Sequence, residues 1–298
     1  MIEKGPFSHW QRVLRPRLPE PRPAMGRLPP VFQFSQQSLQ DYVDCPRRFQ
    51  LRYVEGQRWP AIQSEPVEEH EQFVQRGAEF HLLVRRHLLG VPAEALTPSD
   101  PLLKSWWDNY LTYPPDDLPV ALRLPEVQLS TPLGDQRLLA RFDLLALDPG
   151  EQAVIVDWKT THFRPSRQTL ARRLQTHVYP FVLVEAGAHL FGGPIAPEQV
   201  TLIYWFAERP VEPEVFPYDA ARHSENRKFL ADLVAEVLAH TEEEWPLTDD
   251  ERQCRYCVYR SLCSRGVEAG PLEDAGPDVV EGGVEFDFDL DEVDEIAF

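Results

Sequence analysis

Residues 138–160 read LLARFDLLALDPGEQAVIVDWKT. Two apolar runs flank a short polar segment, and Pro149 and Gly150 within it signal a turn. Runs 137–147 and 153–159 read as strands, and 123–130 before them as a third, so the segment predicts a three-stranded meander. A hairpin centred on Gly150 sets Asp143 directly opposite Asp157. Side chains alternate along a strand, so Asp157 and Lys159 share a face and Trp158 points the other way. Directly opposed Cβ atoms stand about 4.5–5.5 Å apart, where like charges repel. Two carboxylates so placed call for a hard cation with oxygen ligands, Mg²⁺ or Mn²⁺. From the residues alone, the same pair also reads as a solvated face on which Lys159 is a plain ion-pair partner.

Around this meander the chain alternates between helix and strand. Upstream, Ser38 opens a helix with Asp41 at capping-box spacing. Leu39, Tyr42, Phe49 and Tyr53 follow at helical intervals, and Pro46 interrupts them. A helix over 66–89 carries Phe73, Gly77, Phe80, His81, Val84 and Leu88 near one stripe. Gly77 there would let the helix approach the sheet closely. A third helix, 102–111, holds Trp106 and Trp107. Downstream come a long helix over 166–189, strands at 200–208 and 211–218, and a helix over 219–243. The order helix, three-stranded meander, helix, strand predicts an α/β core.

The only four cysteines are Cys45, Cys254, Cys257 and Cys263. Three form C-x2-C-x5-C, and the fourth stands far upstream. Four thiolates hold either Zn²⁺ or an iron–sulfur cluster. One lone cysteine and three together depart from the two close pairs usual for zinc. Such a centre would clamp the helix around Cys45 to the C-terminal loop, where metal-binding energy becomes folding energy.

Composition sets the outer bounds. The chain has 298 residues, 43% of them hydrophobic, enough for a real core without disulfides. No apolar run reaches the roughly 20 residues that span a bilayer, and the N-terminus lacks a signal-type apolar core. We expect a cytoplasmic protein, whose reduced thiols favour metal ligation. The net charge is -18. Residues 268–298 hold twelve of the 48 acidic residues and neither Lys nor Arg; without them 36 acids face 30 bases, a net of -6. The acidity is therefore concentrated in a tail and leaves room for a nucleic-acid partner. Residues 1–30 hold five Arg, one Lys and two Glu and read as an extended basic arm. Residues 31–267 form one domain. Residues 268–298 read as a disordered acidic tail, and three uses stay open: a DNA mimic, a dock for a protein partner, or a solubilising segment. Arg164, Arg167, Arg172 and Arg173 follow Lys159 closely and are candidate phosphate contacts, with Arg47, Arg48 and Arg52 around Cys45.

Six elements in order resemble the PD-(D/E)XK nuclease superfamily. More narrowly, they resemble the RecB-type and CRISPR-adaptation-type exonucleases that carry an iron–sulfur cluster. The elements are S-x2-S-L-x2-Y-x2-C-P-x2-F over 35–49, G-x3-H at Gly77 and His81, and A-R-F-D ending at Asp143. D-W-K at Asp157 and Lys159, Q-x3-Y at Gln175 and Tyr179, and the C-x2-C-x5-C cluster complete the set. Ala140 stands where many relatives have Gly. The resemblance, over roughly 33–265, implies a restriction-endonuclease-like core with a [4Fe-4S] cluster on Cys45, Cys254, Cys257 and Cys263.

It further implies that His81, Asp143 and Asp157 bind Mg²⁺ or Mn²⁺, with the Val156 carbonyl as a further ligand. Glu126 matches an acid often found on the preceding strand and would hold a water of the cation's shell. Lys159 would orient the attacking water and stabilise charge at the scissile phosphate, with Gln175 and Tyr179 positioning the nucleic acid. The implied activity is hydrolysis of DNA from single strands or ends, in repair, recombination or CRISPR spacer processing. No G-x4-G-K-[ST] motif is present, so a nuclease module is expected rather than a helicase–nuclease. Two other readings are a non-catalytic nucleic-acid-binding or assembly subunit and a zinc-stabilised structural protein.

Overall fold

The computed structural model describes residues 28–57, 65–161, 164–255 and 257–266, with only the backbone of 65–71. The readings of the basic arm through residue 27 and of the acidic tail lie outside the described residues.

Strand β1 (Phe34–Ser35) leads into α1 (Gln36–Asp44). Ser35, not Ser38, caps this helix: its hydroxyl accepts from the Ser38 amide, and the Ser38 side chain answers the Ser35 amide. The capping box is real but sits three residues earlier than the Ser38–Asp41 reading put it. Asp41 has turned inward instead, 2% exposed, to meet Arg48, Arg52 and Tyr53. Cys45 is extended at φ -164°, and Pro46 starts α2 (Pro46–Phe49), as a proline at a first helical position should. The chain continues through a π-helical turn (Gln50–Val54).

Then come α3 (Glu65–Leu88), α4 (Pro101–Thr112), β2 (Leu122–Leu133), β3 (Gln136–Asp148) and β4 (Gln152–Lys159). The expected 166–189 helix is split into α5 (Arg167–Arg172), α6 (Leu174–Ala186) and α7 (Ala188–Phe191). The first break falls at Arg173, whose ψ of 139° is extended. Strand β5 (Val200–Phe206), β6 (Glu214–Pro217) and α8 (Ala220–Ala239) complete the order.

The strands form one sheet. β3 pairs with β2 along its length; its other edge takes β4 at 144–148 and β1 at Leu138 and Leu139. β4 pairs in parallel with β5, and β5 antiparallel with β6. The β3–β4 register runs from Asp148↔Gln152 to Leu144↔Val156, centred on Gly150 as predicted. This is a mixed α/β fold, consistent with a restriction-endonuclease-like core.

Alternation sends each strand's side chains into two cores. Leu145, Leu147, Ala153 and Ile155 pack against α1, α6 and α8. Leu144, Ala146, Val154, Val156 and Trp158 pack against α3 and α4, around Trp106 and Trp107. In β3 the alternation slips at one place. Leu138, Ala140 and Phe142 join the first core before Asp143, and Leu145 and Leu147 join it after. Asp143 therefore stands at a kink, where β3 leaves β4. Among the described residues no helix is long and apolar enough to cross a membrane.

The two ends of the domain meet around α2. Gln50, 1% exposed, donates to the Glu243 carbonyl at 2.7 Å and accepts from the Trp245 amide at 2.8 Å. Phe49 stacks on Trp245 at 5.5 Å.

Candidate active site

The β3–β4 ladder stops at Leu144↔Val156, and the next would-be pair is Asp143 and Asp157. Instead of continuing the ladder, Asp143 accepts a hydrogen bond from the Trp158 amide through its own carboxylate, at 2.8 Å. A side chain thus replaces a backbone acceptor, and the strands part without orphaning that amide. On the other side of β3, Pro125↔Leu144 and Val127↔Phe142 place Glu126 opposite Asp143. Glu126 holds a left-handed φ of 56°, a conformation that non-glycine residues pay to adopt. Helix α3 brings in His81, whose Nδ1 lies 3.4 Å from Asp143 Oδ1. The approach is close because residue 77 is glycine: a Cβ there would stand 2.9 Å from Thr160 Oγ1. His81, Glu126 and Asp143 each offer a ligand atom, all within 4.8 Å of one another.

Asp157 stands beside this group and has its own partners. Its carboxylate meets Lys159 Nζ at 2.8 Å and accepts from Gln175 Nε2 at 2.6 Å. Gln175 Oε1 accepts from Lys159 Nζ at 2.8 Å, and its Nε2 reaches the Tyr179 hydroxyl at 3.0 Å. One carboxamide therefore orients both the acid and the lysine. Asp157 is 2% and Lys159 5% exposed, so this pairing is set by the protein rather than by solvent. Tyr179 is buried against Phe142. Gln175 and Tyr179, expected to hold nucleic acid, thus face the Asp157–Lys159 pair. Tyr204, which the sequence reading missed, lies opposite Asp157 on β5, with its ring 5.3 Å from Lys159 Nζ.

The electrostatics follow from this crowding of charge. Burial opposes protonation of His81, but the Asp143 carboxylate outweighs it, with Glu126 and Asp157 assisting, and raises the imidazole to about 9. Burial likewise opposes ionisation of Asp143, yet His81, the Trp158 amide and Lys159 hold its carboxyl below the usual range. Glu126 is pushed up by burial and by Asp143, against the pull of Arg141, which bonds it at 2.7 Å, and of His81. Two carboxylates and an imidazole within reach of one another, with Asp157 alongside, form a donor set that suits a hard divalent cation.

The expected basic track is largely spoken for. Arg164 and Arg167 both bind Glu214, at 2.7 and 2.8 Å, and Arg173 is buried. Arg47 pairs with Glu55, Arg48 with Asp41 and Asp44, and Arg52 with Asp41. Arg172 is exposed. The four cysteines and Arg48 line one cavity. Burial raises the thiols of Cys254 and Cys263, and carries Cys257 up to about 11. Among the described residues no three sulfurs come within 4.8 Å of one another.

A comparison with curated proteins yields no match. The crystal structure of SSO0001 shares 13% identity with the chain at a TM-score of 0.36, covering 79% of this chain and 87% of that one. A protein from Eubacterium rectale, assigned provisionally as an exonuclease, shares 11% identity at a TM-score of 0.45, covering 80% and 90%. Both likenesses are too distant to carry an argument about this site. The family model of the PD-(D/E)XK nuclease superfamily matches residues 33–264. That span holds the parted hairpin, Asp143, Asp157, Lys159 and all four cysteines, and by this match the chain belongs to the PD-(D/E)XK nuclease superfamily.

Proposed function

We propose that the protein is a metal-dependent deoxyribonuclease that hydrolyses phosphodiester bonds in single-stranded DNA or at DNA ends, in repair, recombination or CRISPR spacer processing. The observation that carries this reading is the convergence of His81, Glu126 and Asp143 beside the buried Asp157–Lys159 pair, where β3 parts from β4. His81, Asp143 and Asp157 hold the cation in this reading, with Glu126 close enough to join them.

A divalent cation at such a site acidifies water and offsets phosphate charge. The chain's own groups do the rest. Gln175 and Asp157 aim the Lys159 ammonium, which stabilises the charge growing on the phosphate oxygens. His81 would hold the cation as the neutral imidazole, its proton passing to solvent water when the cation binds. The Tyr204 ring backs the lysine and keeps it from swinging away. No covalent enzyme intermediate is needed. Arg172 contributes a phosphate contact on the approach.

For the cysteine centre we infer a [4Fe-4S] cluster. What supports it is that all four cysteines line one cavity, together with the resemblance of the C-x2-C-x5-C spacing and the distant Cys45 to iron–sulfur nucleases. The acidic tail is read as a segment that docks a protein partner.

The test is cleavage of end-labelled single- and double-stranded DNA with Mg²⁺ or Mn²⁺, by anaerobically purified protein beside Asp157→Ala. Cleavage by the wild type alone establishes the nuclease and its end preference. Binding without cleavage by both establishes the non-catalytic subunit instead. Iron and sulfide in the same preparation support the cluster, and zinc overturns it.

A further inference from the structure

We propose that Gln40 is a positioning residue for the nuclease site, capping the first turn of α6 from the cysteine-bearing end of the molecule and so setting the Gln175 carboxamide. The proposal rests on the nuclease reading above.

Helix α6 starts abruptly. Arg173 at its N-cap is extended and supplies no side-chain cap; its carbonyl takes the Thr176 amide, which leaves the Leu174 amide without a local acceptor. The missing acceptor comes from 134 positions away: Gln40 Oε1 accepts from the Leu174 amide at 3.1 Å. The next residue is Gln175, which orients both Asp157 and Lys159. On its other side the same first turn is tied by Thr176, whose hydroxyl bonds the Leu170 carbonyl at 2.6 Å and the Tyr204 hydroxyl at 2.7 Å. Gln40 is thus the lateral restraint on the face toward α1.

Gln40 is itself held in one orientation. Its Nε2 donates to Asp44 Oδ1 at 2.8 Å, and Asp44 Oδ2 accepts from Arg48 at 2.5 Å. Flipping the carboxamide would lose both of its bonds at once. Asp44 precedes Cys45, and Arg48 lines the cavity of the four cysteines. A continuous polar chain therefore runs from that cavity through Arg48, Asp44 and Gln40 to the α6 residue beside Gln175. A displacement of α1 reaches the Asp157–Lys159 pair through two hydrogen bonds and one peptide unit. Because in-line chemistry is sensitive to shifts of an ångström, the state of the cysteine centre bears on turnover and not only on folding.

The test uses the full-length protein, with steady-state cleavage of end-labelled DNA and hydrogen exchange at the Leu174 amide. Gln40→Ala should lower kcat by about 10-fold at unchanged KM, with unchanged metal content, while Leu174 exchanges faster. The paired change Gln40→Glu with Asp44→Asn keeps an acceptor for Leu174 and reverses the donor between positions 40 and 44. It should restore both kcat and the protection. An unchanged kcat in Gln40→Ala, a loss that the paired change leaves unrecovered, or unchanged exchange at Leu174 overturns the proposal. A wild type that cleaves nothing is a different result: the nuclease reading then fails, and this role with it.

Discussion

Glu126 and Asp143 face each other across the β2–β3 ladder, and Glu126 does so with a left-handed backbone at φ 56°. Strain, burial and a facing carboxylate all oppose that arrangement in the metal-free protein. Glycine accepts the same φ without penalty. Glu126→Gly should therefore raise the stability of the metal-free protein by about 1 kcal/mol, although it loses the half-exposed Arg141 partner, which is worth little. The same change should lower cleavage on the order of 10²-fold. Urea midpoints and initial rates on the same preparation check both signs. A destabilised glycine variant would mean that the backbone at residue 126 is not strained.

The His81–Asp143 contact makes metal-free stability depend on pH. His81 is raised from 6.5 to about 9, so the folded state holds this proton more tightly than the unfolded chain does. Its contribution is complete below about pH 6.5 and is lost as pH climbs through about 9. Asp143 works in the opposite sense: its lowered carboxyl contributes above the unfolded value near 4 and loses that contribution in acid. Urea midpoints in divalent-free buffer should therefore fall between pH 6.5 and 9. His81→Gln should remove that fall, and a variant as steep as the wild type would assign the slope elsewhere.

Gln175 offers a one-atom test of the carboxamide bridge. In Gln175→Glu an oxygen replaces the Nε2 that donates to Asp157 at 2.6 Å. Two carboxylates then compete for Lys159, and one of them is driven toward its protonated form. Cleavage at neutral pH should fall by at least about 10-fold and recover in part at higher pH, where both carboxylates ionise. DNA affinity should hold, because Gln175 points at Asp157 and Lys159. A fall in affinity with an unchanged maximal rate would return Gln175 to direct nucleic-acid contact.

The hairpin was legible because its cues are local. Pro149 and Gly150 fix the turn, and the apolar runs fix the faces, so the register centred on Gly150 holds through Leu144↔Val156. The point where the ladder ends was not legible. It depends on Asp143 capturing the Trp158 amide and on β1 taking over at Leu138 and Leu139, neither of which leaves a mark in the periodicity. The same reasoning covers the helix break at Arg173 and the cap from Gln40, which join segments remote in sequence. Tyr204 looked like one more apolar residue of a buried strand; only its register opposite Asp157 gives it a place beside Lys159. His81 and Lys159 were visible as residue types in motifs. Their partners were not, because a carboxylate between strands is shared by geometry rather than by spacing.

Cys45 ends α1 and lines the same cavity as Cys254, Cys257 and Cys263, so one substitution tests whether the centre joins the two ends of the domain. On the proposed cluster reading, Cys45→Ser should lose iron and lower the thermal midpoint on the order of 10 °C, at about 2–4 °C for each kcal/mol in a domain of this size. The Gln50 and Trp245 contacts should keep the fold assembled despite that loss. Metal content and scanning calorimetry together give the answer. An unchanged midpoint with the metal gone would make the centre a passenger in folding.

The arginines separate by what already holds them. Arg164 and Arg167 are drawn to Glu214 at 2.7 and 2.8 Å, so a phosphate must displace a carboxylate to use either. Arg172 is exposed at the end of α5, two residues before the start of α6. A single-strand phosphate contact contributes about 0.7 to the slope of log K against log salt. Arg172→Ala should therefore reduce that slope by about 0.7, the value for one contact, while Arg164→Ala and Arg167→Ala change it less. Replacing their anchor by Glu214→Gln should strengthen binding, because it releases two guanidinium groups toward the DNA. Fluorescence anisotropy on labelled single strands over a salt series reads all four variants. A larger loss from Arg164→Ala than from Arg172→Ala would show that the Glu214 pair opens to admit the substrate.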